Sequence, residues 1–402
     1  MKDSASRDLA HDFARAIAPI TPEVFMEEYF EKRHLVVKRD DPDYYRGLLS
    51  IEDIDHVITE TMVPGANLQL VNKGNGIDIG DYTMASGFVD PVRVAYHFGT
   101  GSTVILPQLN RSLPKLSAYC RALETVFSCD LQTNIYLTPD NAQGFRTHYD
   151  SHDVIVLQTH GSKTWNIYES PLKLPLRSQA FDPKDFTPGK IIDTFVLNAG
   201  DMAYVPRGVV HDAIATNEVS LHITTGLLAN RWIDVLVEAL VERAQVDAAL
   251  RASVPPGYAN DGFDMAKALD TFHTLMDRAV AGIDPRSTLA GFAYEFRSRR
   301  LPVVPGQFLQ SAAADAIGTG CTVAVRPDLI YATYKRQTAK GEEFILEVYG
   351  TQIAFPAHVE ETLRAALARE SFVVGSLPGD LDEAGQAVMA RRLVREGVLI
   401  RT

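Results

Sequence analysis

The sequence predicts a mainly β protein with helices, built on an antiparallel sandwich or barrel. Three observations carry that reading. From Leu131 to Leu228 strand-like segments recur at close spacing, LQTNIYLT, DVIVLQ, KTWNIY, DTFVLN, MAYVP, DAIAT and VSLHITTGL. Turn signals such as HGS, NAGD and PRG separate them, and no long helical run intervenes. After Asn230 the apolar period becomes helical, and the last hundred residues mix a hairpin pattern with two helical ones. At ~100–200 residues per domain, 402 residues imply two or three domains.

The elements follow in order. TPEVFMEEYFEKRHLVV from Thr21 opens with Thr-Pro and acidic residues, helix-start signals, and spaces Phe25, Tyr29 and Leu35 helically before a strand at 34–38. Short apolar runs, NLQLVN and STVILP, then alternate with Gly, Asn and Asp, and LPKLSAYCRALETVF at 113–127 returns to a helix. Beyond the strand-rich stretch, RWIDVLVEALVERAQVDAALRA carries an apolar face of Trp232, Val235, Leu236, Ala239, Leu240 and Val246, and VPPGY ends that helix. Helical periodicity resumes in MAKALDTFHTLMDRAV, and LPVVPG at 301–306 reads as a linker. In the tail, DLIYATYKRQ and EEFILEVYG form a hairpin pair about Ala339–Gly341, with helices at 357–370 and 382–396.

Composition narrows the function classes. With 46% hydrophobic and 22% charged residues the chain is globular rather than disordered or membrane-embedded. Its formal charge of -12 repels a nucleic-acid backbone and suits a basic protein or peptide partner. Cys120, Cys129 and Cys321 have no metal-ligand spacing and make an odd count, so a reducing cytoplasm is expected. MKDSASRDLAHDFARAIAPI lacks the apolar core of a secretory leader, and no later run approaches a spanning helix.

Chemistry is concentrated in RTHYDSHDVIVLQ. On a strand, residues i and i+2 share a face, so His148 and Asp150 reach one metal ion. His211 follows two turns, NAGD and PRG, that aim it into the barrel. Two imidazoles and one carboxylate leave three coordination positions open, the ligand set of non-haem Fe(II) oxygenases. Composition alone would give about 1.4 His-x-acid triplets, and the chain holds two. The other, His358-Val359-Glu360, precedes a helical pattern and has no strand context.

HYDSHDVIVLQTHGSKTWNIYE and VLNAGDMAYVPRGVVHDA resemble the JmjC-type cupins, specifically the ribosomal-oxygenase branch of protein hydroxylases. FMEEYFEKRHLVV resembles that family's lead-in, so the resemblance runs from about Thr21 to about Leu228. It implies a double-stranded β-helix (cupin, or jelly-roll) catalytic domain at 1–228, a helical dimerisation domain at 229–302 and a winged-helix-like α+β domain at 303–402. It also implies Fe(II) on His148, Asp150 and His211, with 2-oxoglutarate and O2 as co-substrates. Lys163 in GSKTWNIY stands where the family pairs a basic residue with the distal carboxylate of 2-oxoglutarate, an anion that a low-dielectric barrel leaves costly if unpaired. Asn134 and Tyr136 resemble positions lining the co-substrate pocket, and they equally fit satisfied polar groups of a buried strand. His222 matches a further pocket histidine; where relatives often carry serine this chain has Gly226, so Thr224 or Thr225 is expected to supply that contact. His152 and His160 read as structural or rim residues.

The expected activity is hydroxylation of an amino-acid side chain in a protein or peptide, by a homodimer. Two other classes compete. A ligand-sensing cupin with a DNA-binding winged helix is disfavoured by the tail's 10 Lys+Arg against 12 Asp+Glu over 303–402. A metal-dependent small-molecule cupin would have no use for Lys163.

Overall fold

The computed structural model describes residues 12–183, 186–339 and 341–402. The chain divides into two compact units, with the division between Ala229 and Asn230. The first eleven residues, on which the expectation of no leader partly rests, and Lys340, in the predicted hairpin turn, lie outside the described residues.

In the first unit the Thr21 hydroxyl caps a short helix by accepting from the Val24 amide, and Pro22 opens its first turn. The helix passes into a π-helical turn over Phe25–Tyr29 that buries Phe25. Eleven strands follow among the described residues: β1 (Leu35–Val37), β2 (Gln69–Asn72), β3 (Asn75–Gly76), β4 (Thr103–Leu106), β5 (Asp130–Thr138) and β6 (Asp153–His160), then β7 (Ser162–Tyr168), β8 (Ile191–Asn198), β9 (Met202–Val205), β10 (His211–Ala215) and β11 (Ser220–Leu228). They form a large sheet in the order β1-β9-β6-β11-β5-β4-β2-β3 and a small one in the order β10-β7-β8. All pairs are antiparallel, as the close spacing and short turns predict. These two sheets are the double-stranded β-helix core.

Both faces of the large sheet are covered, which is why DVIVLQ reads as one apolar run rather than an alternation. On one face Val154, Val156, Ala203 and Val205 meet Trp165 and Leu197 of the small sheet. On the other, Ile155, Leu157, Tyr204 and Ile223 pack with Phe25, Leu116, Tyr119 and Leu123 of the helical segments. Each such side chain contributes about 1.5–3 kcal/mol of burial free energy. The register of β11 on β5 sets His222 opposite Tyr136 and Thr224 opposite Asn134, which stocks the inner wall with polar groups.

The second unit contains helices Trp232–Val246, Met265–Ala281 and Pro285–Arg299. It also has a meander of β13 (Tyr331–Thr338), β14 (Gly341–Val348) and β15 (Thr351–Pro356). A second sheet runs β16 (Ser371–Val373), β12 (Thr322–Val325), β17 (Leu399–Arg401). β13 and β14 pair from Tyr331↔Val348 to Thr338↔Gly341, the predicted hairpin. Phe344, Leu346, Ile353, Leu363, Phe372 and Leu393 share one core there. No helix among the described residues is long and apolar enough to cross a membrane.

Candidate metal centre

His148, Asp150 and His211 come together with ligand atoms all within 4.8 Å of one another. The Asp150 carboxylate lies 4.0 Å from His148 Nε2 and 3.7 Å from His211 Nε2. The route differs from the expected one. His148 and Asp150 precede β6 and are not two positions of one regular strand; His148 forms an isolated bridge to His211. The two residues exchange backbone hydrogen bonds, His148 N to His211 O at 3.0 Å and His211 N to His148 O at 2.8 Å. Gly208, in the turn before His211, donates its N–H to the Asp150 carbonyl at 2.9 Å. Its φ of +82° suits glycine, and a Cβ there would lie 2.4 Å from the Leu172 carbonyl oxygen. Backbone pairing across the barrel, rather than strand parity, therefore converges the three side chains.

The imidazoles are held in one tautomer. His148 Nδ1 lies 2.8 Å from the Arg146 carbonyl and His211 Nδ1 2.9 Å from that of Val209. A carbonyl only accepts, so each Nδ1 carries the proton and each Nε2 keeps its lone pair. Burial and the neighbouring His148 push the His211 pKa down to about 4, which keeps that ring neutral and able to coordinate. Two Nε2 lone pairs converging on a carboxylate fit a divalent metal ion. His358 and Glu360 make no such group: His358 sits in a 3₁₀ turn and Glu360 pairs with Lys335 and Arg364.

Two buried networks hold the ligand segments. Tyr204 Oη (2.7 Å) and Arg207 Nη1 (2.8 Å) donate to the Asp153 carboxylate, and Arg207 also pairs with Glu31, anchoring the turn that delivers His211. Asp212 accepts from Thr147 Oγ1 (2.7 Å), Tyr168 Oη (2.6 Å) and Asn166 Nδ2 (2.9 Å). One carboxylate thus ties the neighbours of His148 and His211 to β7. Asp212→Asn should weaken Co(II) binding about 10-fold to 100-fold, the usual cost of losing a group that orients ligands, while far-UV circular dichroism stays unchanged. Unaltered Co(II) affinity would show that Asp212 does not position the ligands.

A cavity of about 290 Å³ opens on the triad. Asn134, Tyr136, His222, Thr224 and Lys163 all line it, as do His152, Trp165 and Phe145. Lys163 is 3% exposed, and Nζ donates to Thr138 Oγ1 at 2.9 Å. No carboxylate pairs with it among the described residues, and burial lowers its pKa to about 7. A buried cation without an anion is a prepared anion site. His222 stacks on Tyr136 with ring centroids 4.8 Å apart, and His222 Nδ1 and Trp165 Nε1 are buried without a hydrogen-bond partner among the described residues.

Of the two threonines expected to replace the missing serine contact, Thr224 lines the cavity, whereas Thr225 is buried with its hydroxyl toward Tyr119 and does not. His160 is exposed at the Gly161 turn and lines a different hollow. Trp165 was missed although parity with Lys163 puts it on the same face of β7; it stacks on His211 at 5.7 Å. Thr138 and Asp212 carried no local signal, since their partners lie far away in sequence.

Residues 108–235 match the JmjC domain family. The Dictyostelium discoideum "bifunctional lysine-specific demethylase and histidyl-hydroxylase NO66" is 36% identical over 239 residues, 56% of this chain and 45% of that protein. The Drosophila mojavensis protein of the same name is 32% identical over 246 residues, 59% of this chain and 28% of its own. The chain thus spans less than half the length of these relatives. Among solved structures, Escherichia coli ycfD superposes with a TM-score of 0.56 at 17% identity, covering 95% of this chain and 98% of that one. The structure of YcfD, a ribosomal oxygenase, in complex with cobalt and 2-oxoglutarate gives 0.52 at 16% identity, with the same coverage. At these identities the likeness establishes the fold over nearly the whole chain.

Proposed function

We propose that this chain, which carries a JmjC domain over residues 108–235, is an Fe(II)- and 2-oxoglutarate-dependent hydroxylase of an amino-acid side chain in a protein or peptide. One observation carries the reading: the His148–Asp150–His211 group and a buried Lys163 with no carboxylate partner among the described residues share a single cavity. A metal site alone would suit many cupins; the added cation calls for a dicarboxylate. When bound, iron and 2-oxoglutarate would supply oxidative decarboxylation chemistry, in which one atom of O2 would end in succinate, with loss of CO2, and the other in a C–H bond of the target. The chain supplies geometry. His148, Asp150 and His211 would hold the ion, and Lys163, whose amine is positioned by Thr138, would hold the distal carboxylate. Val154, Val156 and Trp165 keep water from the reacting centre.

Incubation with Fe(II), 2-oxoglutarate and a panel of basic protein-derived peptides should yield succinate and a one-oxygen mass gain. Absence of both across the panel would sink the proposal.

Lys163 sets a pH dependence. Its pKa of about 7 in the free protein means that below this pH the amine is charged and ready for the dianion, whereas above it binding must take up a proton. The dissociation constant for 2-oxoglutarate should therefore be flat below about pH 7 and weaken roughly tenfold per unit above it. Calorimetry in buffers of different ionisation enthalpy reads that proton directly; no proton uptake at pH 8 would refute the assignment.

The same proposal covers assembly and location. Trp232, Leu236 and Val246 are exposed on helix Trp232–Val246, an apolar stripe suited to a two-fold partner, so a homodimer is expected in light scattering. Residues 229–302 would form the dimerisation module and 303–402 a winged-helix-like module whose net charge of -2 suits protein contact rather than DNA. Three free cysteines fit a reducing cytoplasm.

A further inference from the structure

The cavity wall contains a close contact between His152 and Gly226. β11 passes between β6 and β5 so that Val154, Gly226 and Gln132 lie in one row, beside the row of Val156, Thr224 and Asn134. Strand alternation therefore turns position 226 to the same face as Thr224, the face that lines the cavity. Gly226 is not required by the backbone, because its φ lies outside the left-handed region. The contact there is with a side chain: a Cβ would stand 2.6 Å from Cδ2 and 2.8 Å from Nε2 of His152, so any larger residue must push that ring aside. The imidazole of His152 occupies the volume that a side chain at 226 would take. It comes from the segment carrying Asp150, two residues on, and is half-buried in the cavity wall with no hydrogen-bond partner among the described residues.

We propose that His152, seated over Gly226, is a specificity-determining residue that hydrogen-bonds a neutral polar side chain of the target residue. The proposal rests on the hydroxylase reading above. The charge inventory of the cavity selects the class of target. Its acidic and basic side chains other than histidine, among the described residues, are Asp150, which this reading assigns to the metal, and Lys163, which it assigns to the co-substrate. A guanidinium or ammonium entering the cavity would find no free acid, and a carboxylate no free base, so either would be desolvated without a counter-charge. An imidazole or carboxamide needs only a hydrogen-bonding partner, which the ring nitrogens of His152 supply.

The test uses the full chain loaded with Co(II) and saturating 2-oxoglutarate at pH 7.5. It is titrated with the N-acetyl amides of His, Asn, Arg and Asp, and binding is read from the Co(II) absorption band. The His and Asn amides should bind in preference to the charged pair. His152→Ala should weaken the neutral amides about threefold to tenfold, the worth of one hydrogen bond, and His152→Gln should restore part of the loss. Gly226→Ala displaces the ring and should reproduce the loss, and the double variant should be no weaker than His152→Ala alone. Failure of Co(II) and 2-oxoglutarate to load would overturn the hydroxylase reading and this role with it. Normal loading with no binding of the neutral amides, equal binding of the charged ones, or no effect of His152→Ala would overturn this role only.

Discussion

His211→Ala is expected to abolish both Fe(II) binding and succinate formation, the largest single effect in the molecule. His211 is the most buried of the three ligands, and it is fixed twice, by its backbone exchange with His148 and by Nδ1 donation to the Val209 carbonyl. Trp165 stacks on its ring and fixes its orientation further. Residues that merely support metal ligands cost about 10-fold to 100-fold when replaced, so the loss of a ligand itself should exceed ~100-fold. The expected fold is unchanged, because backbone pairing between positions 148 and 211 does not depend on the side chain. Co(II) titration with parallel circular dichroism separates the two effects. Retained metal affinity in a folded variant would remove His211 from the centre.

The second large effect falls on the co-substrate. Lys163→Ala deletes the one cation lining the cavity among the described residues. Truncating one partner of a buried charged pair costs about 2–5 kcal/mol, so 2-oxoglutarate affinity should fall roughly 30-fold to several thousand-fold. Metal binding should persist, since Lys163 bonds to Thr138 and not to the ligands. Stability should move the other way. A buried lysine whose pKa is held down to about 7 is a desolvated cation that the folded protein tolerates at a cost. Lys163→Met, which keeps the volume, should therefore raise the Tm of the ligand-free protein while abolishing 2-oxoglutarate-dependent stabilisation. A fall in Tm, or undiminished stabilisation by 2-oxoglutarate, would show that Lys163 is a structural residue.

Much of the barrel was legible because its signals are local. Apolar runs of strand length, Gly and Asn turns, and the change to a 3.6-residue period after Asn230 all depend on near neighbours, and each appears at its expected place within a few residues. The triad residues are legible as chemistry, from ligand type and turn context, although strand parity is not what joins His148 to Asp150. They do not share a regular strand; pairing with His211, 63 positions away, brings them together. Lys163 was legible because its neighbours GSKTWNIY resemble a known pattern, and Trp165 was equally readable from strand parity.

By itself, then, the sequence determined which residue types could coordinate a metal and where strands and helices lie, because those properties reside in single residues and their near neighbours. Tertiary structure alone decided which side chains meet. Thr138 under the Lys163 amine, Asp212 as a clamp on Thr147, and His152 in the space left at Gly226 all result from the pairing of segments remote in the chain. Register is fixed by burying both faces of the large sheet at once, a condition set by the whole first unit and by no short segment within it.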